Sequence, residues 1–236
     1  MGRGRLYVGT SGFAYKEWVG DFYPVGTKSA DYLSRYAERL PSVEINYSFQ
    51  RLPSPAALAQ WVERTPEHFV FALKAHRRIT HTARLGGAGE SVRWFLDGVA
   101  ALGPRLGPVL FQCPPTLRYS AELLDGFLGH LPAGRRYAME FRHESWAVAE
   151  VRQRLAVAGV SWCVADTDEQ AASFTRTAPD FAYLRLRRTD YSEKDLAGWG
   201  EAIGSALEEG TDVYAYLKHE DSAAGPRWAE ALRSLT

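Results

Sequence analysis

Short apolar runs recur along the chain, each bounded by glycine, proline or a polar cluster. Most of them, such as VLFQC and YAMEF, are continuous rather than alternating, which is typical of strands buried on both faces of a parallel sheet. The pattern predicts eight strands, at Arg5–Gly9, Ser42–Asn46, Phe69–Lys74, Val109–Gln112, Tyr137–Arg142, Val160–Asp166, Phe181–Leu186 and Val213–Lys218.

Segments with the helical spacing of apolar residues lie between most of these strands. They are Ala30–Leu40, Pro55–Arg64, Glu90–Leu102, Ser120–Leu131, Ala147–Ala158, Glu193–Leu207 and Arg227–Leu235. Each strand and its following segment share about 30 residues, the length that a right-handed βαβ crossover needs. Only TDEQAASFTRTAPD separates strands 6 and 7, and its proline near the end disfavours a full helix.

The alternation predicts the α/β class and a TIM-like (β/α)8 barrel with one irregular or missing helix between strands 6 and 7. An open, doubly wound sheet is the structural alternative, because it shows the same alternation. No shift in composition marks a linker, so we expect residues 1–236 to form a single domain.

Composition excludes several classes of protein. The 28 basic residues equal the 28 acidic ones, which argues against a sequence-independent nucleic-acid coat. Two cysteines, Cys113 and Cys163, form no metal-binding pattern and are expected to be unpaired, as in a reducing compartment. The chain has neither the apolar stretch of a signal peptide nor a run of about 18 apolar residues. We therefore expect a cytoplasmic protein without a membrane partner, and no obligate protein partner is evident.

Polar residues stand at the ends of the predicted strands, often two apart, so that both side chains leave the same face. Active sites of TIM barrels are built at this end. The candidate catalytic residues are the carboxylates Glu44, Glu140 and Asp166. The candidate substrate-binding residues are Asn46, Lys74, Gln112, Arg142, His143, Trp146, Arg185 and Lys218.

Two alternatives stay open for these residues. Strand-end charges of mixed sign can also pair with one another only to satisfy buried polarity. In EFRHESW, His143 and Trp146 follow the fifth strand, and Trp146 either forms a flat wall for a planar ligand or packs at the start of a helix. The histidines His68, His81 and His130 are expected at the surface.

The absence of several catalytic motifs excludes some classes of enzyme. The chain has no GxxxxGK[ST], GxSxG or HExxH motif, which excludes a phosphate-loop NTPase, an elbow-type serine hydrolase and a zinc protease of that type. GTSG after the first strand either presents backbone amides to an anion or forms a tight turn, and the turn is favoured because the spaced glycines of a nucleotide fingerprint are absent.

Seven segments together resemble the DUF72 family, also called YecE-like proteins, over nearly the whole chain. They are VGTSGFAYKEWVGDFYP, VEINYSFQRLPSPAALAQWVERTPEHFVFALKAHRRITH, RLGPVLFQCPP, YAMEFRHESW, VADTDE, FAYLRLR and VYAYLKHEDSAAGP. The resemblance implies a TIM-like barrel and no established activity. It carries over the polar residues Glu44, Asn46, Lys74, Gln112, Glu140, Arg142, His143, Trp146, Asp166 and Arg185.

The chain departs from the common family pattern at several positions. Tyr47, Ser48 and Gln50 interrupt the usual VEINSTFYRLP, and KHED follows the eighth strand. Arg187 and Arg188 replace the usual His-Gly after the seventh strand, which adds cations and puts in doubt any role that needs a histidine at position 187.

Three functions are compatible with these residues. The first is an enzyme acting on an anionic, phosphate-bearing substrate, with cations that bind the anion and Glu140 or Asp166 as general base. The second is a metal-dependent phosphodiesterase or nuclease that uses Glu44, Glu140 and Asp166, with His219 as a further ligand.

The third function is non-catalytic: a module that binds a nucleotide or nucleic-acid fragment by stacking on Trp18, Trp146 and Tyr191. The partner is in every case a small anionic ligand or a nucleic-acid fragment. The sequence identifies no cofactor.

Overall fold

The computed structural model describes residues 2–218 and 222–236. Eight strands lie in one parallel sheet, in the order β1-β8-β7-β6-β5-β4-β3-β2. They are β1 (Leu6–Thr10), β2 (Ser42–Ile45), β3 (Val70–Lys74), β4 (Leu106–Gln112), β5 (Tyr137–Glu140), β6 (Val160–Asp166), β7 (Phe181–Leu186) and β8 (Asp212–Leu217).

A helix follows each strand except β6. These helices are α1 (Tyr32–Ala37), α2 (Pro55–Glu63), α3 (Gly89–Val99), α4 (Ala121–Leu128), α5 (Ala149–Val157), α6 (Glu193–Glu208) and α7 (Ala224–Ser234). Side chains at several N-termini satisfy the free amides there: Ser54, Ser120 and Ser192 each accept a hydrogen bond from the amide three residues later. At α6, Asp195 also bonds back to the Ser192 amide and completes a capping box.

The sheet curls into a nearly closed barrel, and its ends meet between β1 and β2. Ser11 and Glu44 form a single parallel bridge there instead of a continuous ladder. The two strands approach closely, since a Cβ placed on Gly9 would lie 1.8 Å from the carbonyl oxygen of Ser42. Glycine at this position is therefore required for closure.

Two apolar layers stabilise the barrel. The outer layer packs the helices against the strands, and the inner layer fills the lumen with side chains that include Phe181, Tyr183, Tyr214 and Tyr216. Tyr183 and Tyr216 are fully buried, with ring centroids 5.4 Å apart. The lumen is thus filled by packed side chains below its upper end. We call that upper end the barrel mouth: the carboxyl ends of the strands and the loops that follow.

The predicted fold is confirmed. The barrel is built from the eight predicted strands, which excludes the open doubly wound alternative, and residues 167–180 between β6 and β7 contain no helix. The boundaries differ by a few residues. β4 begins at Leu106, three residues earlier than predicted, and β5 ends at Glu140, so that Arg142 lies in the loop beyond the strand.

Both cysteines are unpaired and buried, as predicted. Cys113 directly follows β4, and Cys163 lies on β6 in the lumen layer. Among the helices in residues 2–218 and 222–236, none combines the length and apolar character needed to cross a membrane.

Candidate functional site

Arg185, on the inner face of β7, is the centre of a polar cluster at the barrel mouth. Its Nη1 donates to Oε2 of Glu140 at 2.6 Å and to Oε1 of Gln112 at 3.1 Å. Its Nη2 donates to Oε1 of Glu44 at 2.9 Å and to Oδ1 of Asn46 at 3.4 Å. Arg185 is only 2% exposed. These five residues, the Arg185 cluster, join β2, β4, β5 and β7 across the lumen.

Glu44 on β2 is held by four donors. Besides Arg185, Ser11 donates to Oε1 at 2.8 Å, Tyr183 to Oε2 at 2.8 Å, and Asn46 to Oε1 at 3.3 Å. Burial opposes ionisation of this carboxyl, but Arg185 and the hydroxyl donors outweigh it, so the pKa of Glu44 is lowered. Glu44 is an ionised and fully bonded group, which gives it a structural function in holding Arg185.

Glu140 at the end of β5 is shared by two arginines. Arg185 binds one carboxylate oxygen, and Nε of Arg142 donates to the other at 2.8 Å. Although burial raises it, the pKa of Glu140 is lowered to about 2 by the two guanidinium charges. The predicted pairing of Glu140 with Arg142 is therefore present. A carboxylate with so low a pKa is a weak base at neutral pH.

Lys74 ends β3 on the face that carries the lumen residues Val70 and Ala72. Its Nζ lies 4.1 Å from the centroid of the Phe49 ring. Burial, followed by the charge of Arg185, lowers the pKa of Lys74 to about 8. The pKa of Lys74 is thus brought close to physiological pH.

Arg187 lies two residues beyond Arg185 and so leaves β7 toward the same side. It is half-buried, and its Nη1 has no hydrogen-bond partner among the described residues. Burial and the charge of Arg185 lower its pKa, which means that the guanidinium charge is poorly compensated. Lys218 follows β8 and is half-buried.

Asp166 does not join the Arg185 cluster. It lies three residues from Cys163, which faces the lumen, and so it faces the opposite side of β6. There it accepts hydrogen bonds from Nε of Arg188 at 2.8 Å, the hydroxyl of Tyr191 at 2.9 Å and the amide of Ala172 at 2.8 Å. Asp166 thus anchors the segment between β6 and β7 and the start of α6.

Of the two alternatives for Trp146, the structure favours packing. The side chain is fully buried, donates its indole N–H to the Leu117 carbonyl at 2.7 Å and stacks on Phe141 with centroids 4.1 Å apart. His143 caps the turn that carries it, since its Nδ1 accepts from the Ser145 amide. In the described part of the chain, neither side chain forms a hydrogen bond or ion pair with the Arg185 cluster.

The three aromatic residues proposed to stack on bases are also buried. Trp18 is fully buried and donates to the Ser222 carbonyl at 3.1 Å, and Tyr191 is 4% exposed and bonded to Asp166. With Trp146 in the core as well, these rings present no open stacking surface.

Several residues of the mouth were not among the sequence candidates. Ser11 and Tyr183 bind Glu44, and Tyr183 was detectable because it lies two residues before Arg185 on the same strand face. His81, expected at the surface, instead packs its ring edge-on to Phe49 at 4.9 Å, and burial together with the charge of Lys74 lowers its pKa. No pattern in the sequence indicated this contact.

The metal-dependent alternative has little support from the donor arrangement. Within residues 2–218 and 222–236, no three His, Cys, Asp or Glu side chains are grouped as a metal site would need. Glu44 and Glu140 are bonded to arginines, and Asp166 faces away. His219, the further ligand of that hypothesis, lies outside the described residues, as does the rest of KHED after Lys218.

The GTSG segment forms a tight turn. Its amides are already used, since Ser11 N–H donates to the Leu217 carbonyl and Gly12 N–H to the Thr10 carbonyl. Gly12 adopts φ +101°, a conformation that favours glycine.

A family model described as "Protein of unknown function DUF72" matches residues 7–236. The chain belongs to the DUF72 family. The protein is 32% identical to the UPF0759 protein YecE of Escherichia coli K12 over 152 residues, which is 64% of this chain and 53% of YecE. It thus spans about half the length of this relative.

Solved structures agree with the DUF72 assignment. The chain is similar to a DUF72 family protein from Thermotoga maritima, with a TM-score of 0.85 and 25% identity over 98% of both chains. A D-psicose 3-epimerase from Clostridium cellulolyticum H10 has a TM-score of 0.56 at 10% identity, covering 99% of this chain and 97% of the epimerase. That second likeness supports the TIM-barrel fold alone.

Proposed function

We propose that this DUF72 protein is an enzyme that acts on a small anionic substrate, most simply a phosphate-bearing one, at the barrel mouth. The observation that supports this proposal is the excess of positively charged side chains at the barrel mouth among the described residues. The two carboxylates Glu44 and Glu140 are both bonded to Arg185. Three further cations of the mouth are Lys74, Arg142 and Arg187.

Arg187 is the side chain best placed to bind the anion. No carboxylate lies within ion-pair distance of its guanidinium in the described part of the chain, and its Nη1 atom is buried without a partner. An oxyanion beside this group would supply both the missing acceptor and the missing negative charge. Arg142, whose side chain is 43% exposed, stands beside Glu140 as a second, more accessible donor.

We place proton transfer at Lys74 rather than at Glu140. A group transfers protons efficiently when its pKa lies near the working pH. The pKa of Lys74 is about 8, whereas that of Glu140 is about 2. In this proposal Glu44 and Glu140 orient Arg185, and Asp166 acts outside the site by anchoring the segment beyond β6.

Titration calorimetry with inorganic phosphate tests the anion site. We expect binding to the unmodified protein and at least tenfold weaker binding to Arg187→Gln, since about 1.4 kcal/mol is lost with one charge-assisted contact. The matched control is Arg35→Gln, which removes a surface cation of α1 that pairs with Glu38. Equal affinity of all three proteins, or no binding, would contradict the proposal.

A panel of phosphomonoesters then separates an enzyme from a binding module. Incubation followed by phosphorus NMR reports any chemical change of the ester. An enzyme converts at least one compound that also displaces inorganic phosphate, and Lys74→Met lowers that conversion. Displacement without conversion across the panel supports the binding-module alternative.

A further inference from the structure

The side-chain amine of Lys74 has unusual surroundings for a partly buried lysine. Within the residues that the structure describes, no carboxylate lies within 4.0 Å of its Nζ, and the Phe49 ring occupies the adjacent position at 4.1 Å from the ring centroid. The charges of Arg185 and Arg142 disfavour a third positive charge here, whereas those of Glu140 and Glu44 favour it. Burial and Arg185 outweigh the carboxylates, so the pKa of Lys74 is lowered.

Phe49 is held in position by a turn that is hydrogen-bonded to the strand carrying Lys74. Residues Tyr47–Phe49 form a short helical turn after β2. The hydroxyl oxygen of Ser48 in this turn lies 2.7 Å from the carbonyl oxygen of Lys74 and 2.9 Å from that of Ile45, so its single hydrogen is shared between the two acceptors. The turn is thereby tied to the backbone of Lys74, so the apolar ring is held over the amine of the same residue.

A second ring, that of His81, also contacts Phe49. His81 packs edge-on against it at 4.9 Å, and its own pKa is lowered by burial and by Lys74, which favours a neutral imidazole. The Lys74 amine therefore meets an apolar ring and cations, and its carboxylate neighbours Glu44 and Glu140 are bonded to Arg185. Desolvation beside cations is the arrangement that makes a lysine amine nucleophilic.

From this geometry we propose that Lys74 is a nucleophile that forms an imine with the carbonyl group of an anionic aldehyde or ketone. The inference rests on the proposed function, since the anionic group of the same molecule would be held by Arg187 and Arg142. It replaces proton transfer by Lys74 with nucleophilic addition by the same amine. It narrows the substrate class to carbonyl compounds that carry a phosphate.

The step balances without a further reagent. The lone pair of the neutral amine adds to the carbonyl carbon, and a carbon–nitrogen double bond replaces the carbon–oxygen double bond. The carbonyl oxygen leaves as one water molecule with the two amine hydrogens. Nothing is oxidised or reduced, and the ammonium proton that must first be lost goes to solvent. Because the pKa of Lys74 is about 8, a substantial fraction of the amine is neutral near physiological pH.

Reductive trapping tests the inference directly. The protein is incubated with glycolaldehyde phosphate and sodium cyanoborohydride, and peptide mass spectrometry locates the secondary amine that reduction of the imine leaves. The chain has five lysines, so Lys16, Lys28, Lys194 and Lys218 are internal controls. We expect Lys74 to be labelled about tenfold faster or more than each of the others. Labelling should rise with pH through about 8.

Glycolaldehyde, which lacks the phosphate, is the matched probe and should label Lys74 more slowly. Inorganic phosphate should protect Lys74 from the phosphorylated probe but leave Lys28 unaffected. Lys74→Arg keeps the positive charge but forms no stable imine, so its trapping at this position is lost while its phosphate affinity is retained within about threefold.

The two possible failures are distinguishable. In the first case, phosphate binds and Arg187→Gln abolishes that binding, but the label is spread evenly over the lysines or falls on Lys218 alone. The imine inference is then wrong and the proposed function stands. If phosphate neither binds nor protects, the proposed function fails first. If glycolaldehyde labels Lys74 as selectively and as fast as glycolaldehyde phosphate does, the link between the amine and the anion site is contradicted.

Discussion

Arg185 and Glu140 lie 2.6 Å apart, Nη1 to Oε2, although strand β6 separates the strands that carry them. The ion pair therefore crosses the lumen instead of running along a ladder. Glu44 binds the other terminal nitrogen of the same guanidinium from still farther around the barrel. One buried arginine thus links two of the three carboxylates that the sequence placed among the catalytic candidates.

Replacing Arg185 should destabilise the fold strongly. In Arg185→Met, Glu44 and Glu140 remain buried without their main partner, and breaking such an arrangement costs about 3–5 kcal/mol. Urea unfolding at pH 7 measures the loss. The triple variant with Glu44→Gln and Glu140→Gln should recover part of it, because no buried charge is then left unpaired. A loss below about 1 kcal/mol for the single variant would contradict a structural function for Arg185.

Stability should fall in acid because of Glu140. The pKa of Glu140 is about 2 in the folded protein against an ordinary 4.5, so between these values the unfolded chain binds more protons. The contribution of Glu140, about 3 kcal/mol, is fully present above pH 4.5 and is lost as the pH falls toward 2. Urea unfolding between pH 6 and 3 should give a shallower pH dependence for Glu140→Gln than for the unmodified protein. Parallel curves would show that Glu140 does not titrate in this way.

Arg142→Ala should affect ligand binding more than folding. Glu140 keeps its bond to Arg185, and the Arg142 side chain is 43% exposed, so we expect a stability loss below about 1 kcal/mol. Phosphate affinity should fall about tenfold, since a charge-assisted donor is removed. Calorimetry and urea unfolding of the same sample separate the two effects. A collapse in stability with unchanged affinity would make this pair purely structural.

Asp166→Asn tests whether this carboxylate lies outside the site. The variant loses charge-assisted bonding to Arg188 in a fully buried position, at a cost of about 2–4 kcal/mol. Phosphate affinity should stay within about twofold under conditions where the variant is folded. Loss of phosphate binding without loss of stability would return Asp166 to the candidate site.

Both thiols should be inert until the protein unfolds. Burial raises the pKa of Cys113 and of Cys163 far above the ordinary range, and the charge of Glu140 adds to the effect. A chromogenic disulfide reagent should titrate neither thiol in the folded protein and both in concentrated denaturant without reductant. Fast reaction of one thiol in the native state would contradict its burial.

Much of the site followed from a spacing of two along a strand. Because alternate side chains of a strand share a face, Glu44 with Asn46 and Glu140 with Arg142 were correctly placed together, and the same rule would have added Tyr183 to Arg185. Asp166 was grouped with them by its position at a strand end alone. Its three-residue separation from Cys163 places it on the other face.

The alternation of apolar runs by itself determined the eight strands and their parallel direction, and the short segment TDEQAASFTRTAPD determined the missing helix between β6 and β7. It left the barrel and the open doubly wound sheet as alternatives. It could not determine which side chains meet across the lumen, because those contacts depend on the tilt and stagger of the closed sheet. The close approach of Gly9 to Ser42 decides that closure. Only then does Arg185 reach both Glu44 and Glu140. The ring of Phe49 lies over Lys74 for the same reason: residues distant in sequence are brought into contact by packing, which no local pattern records.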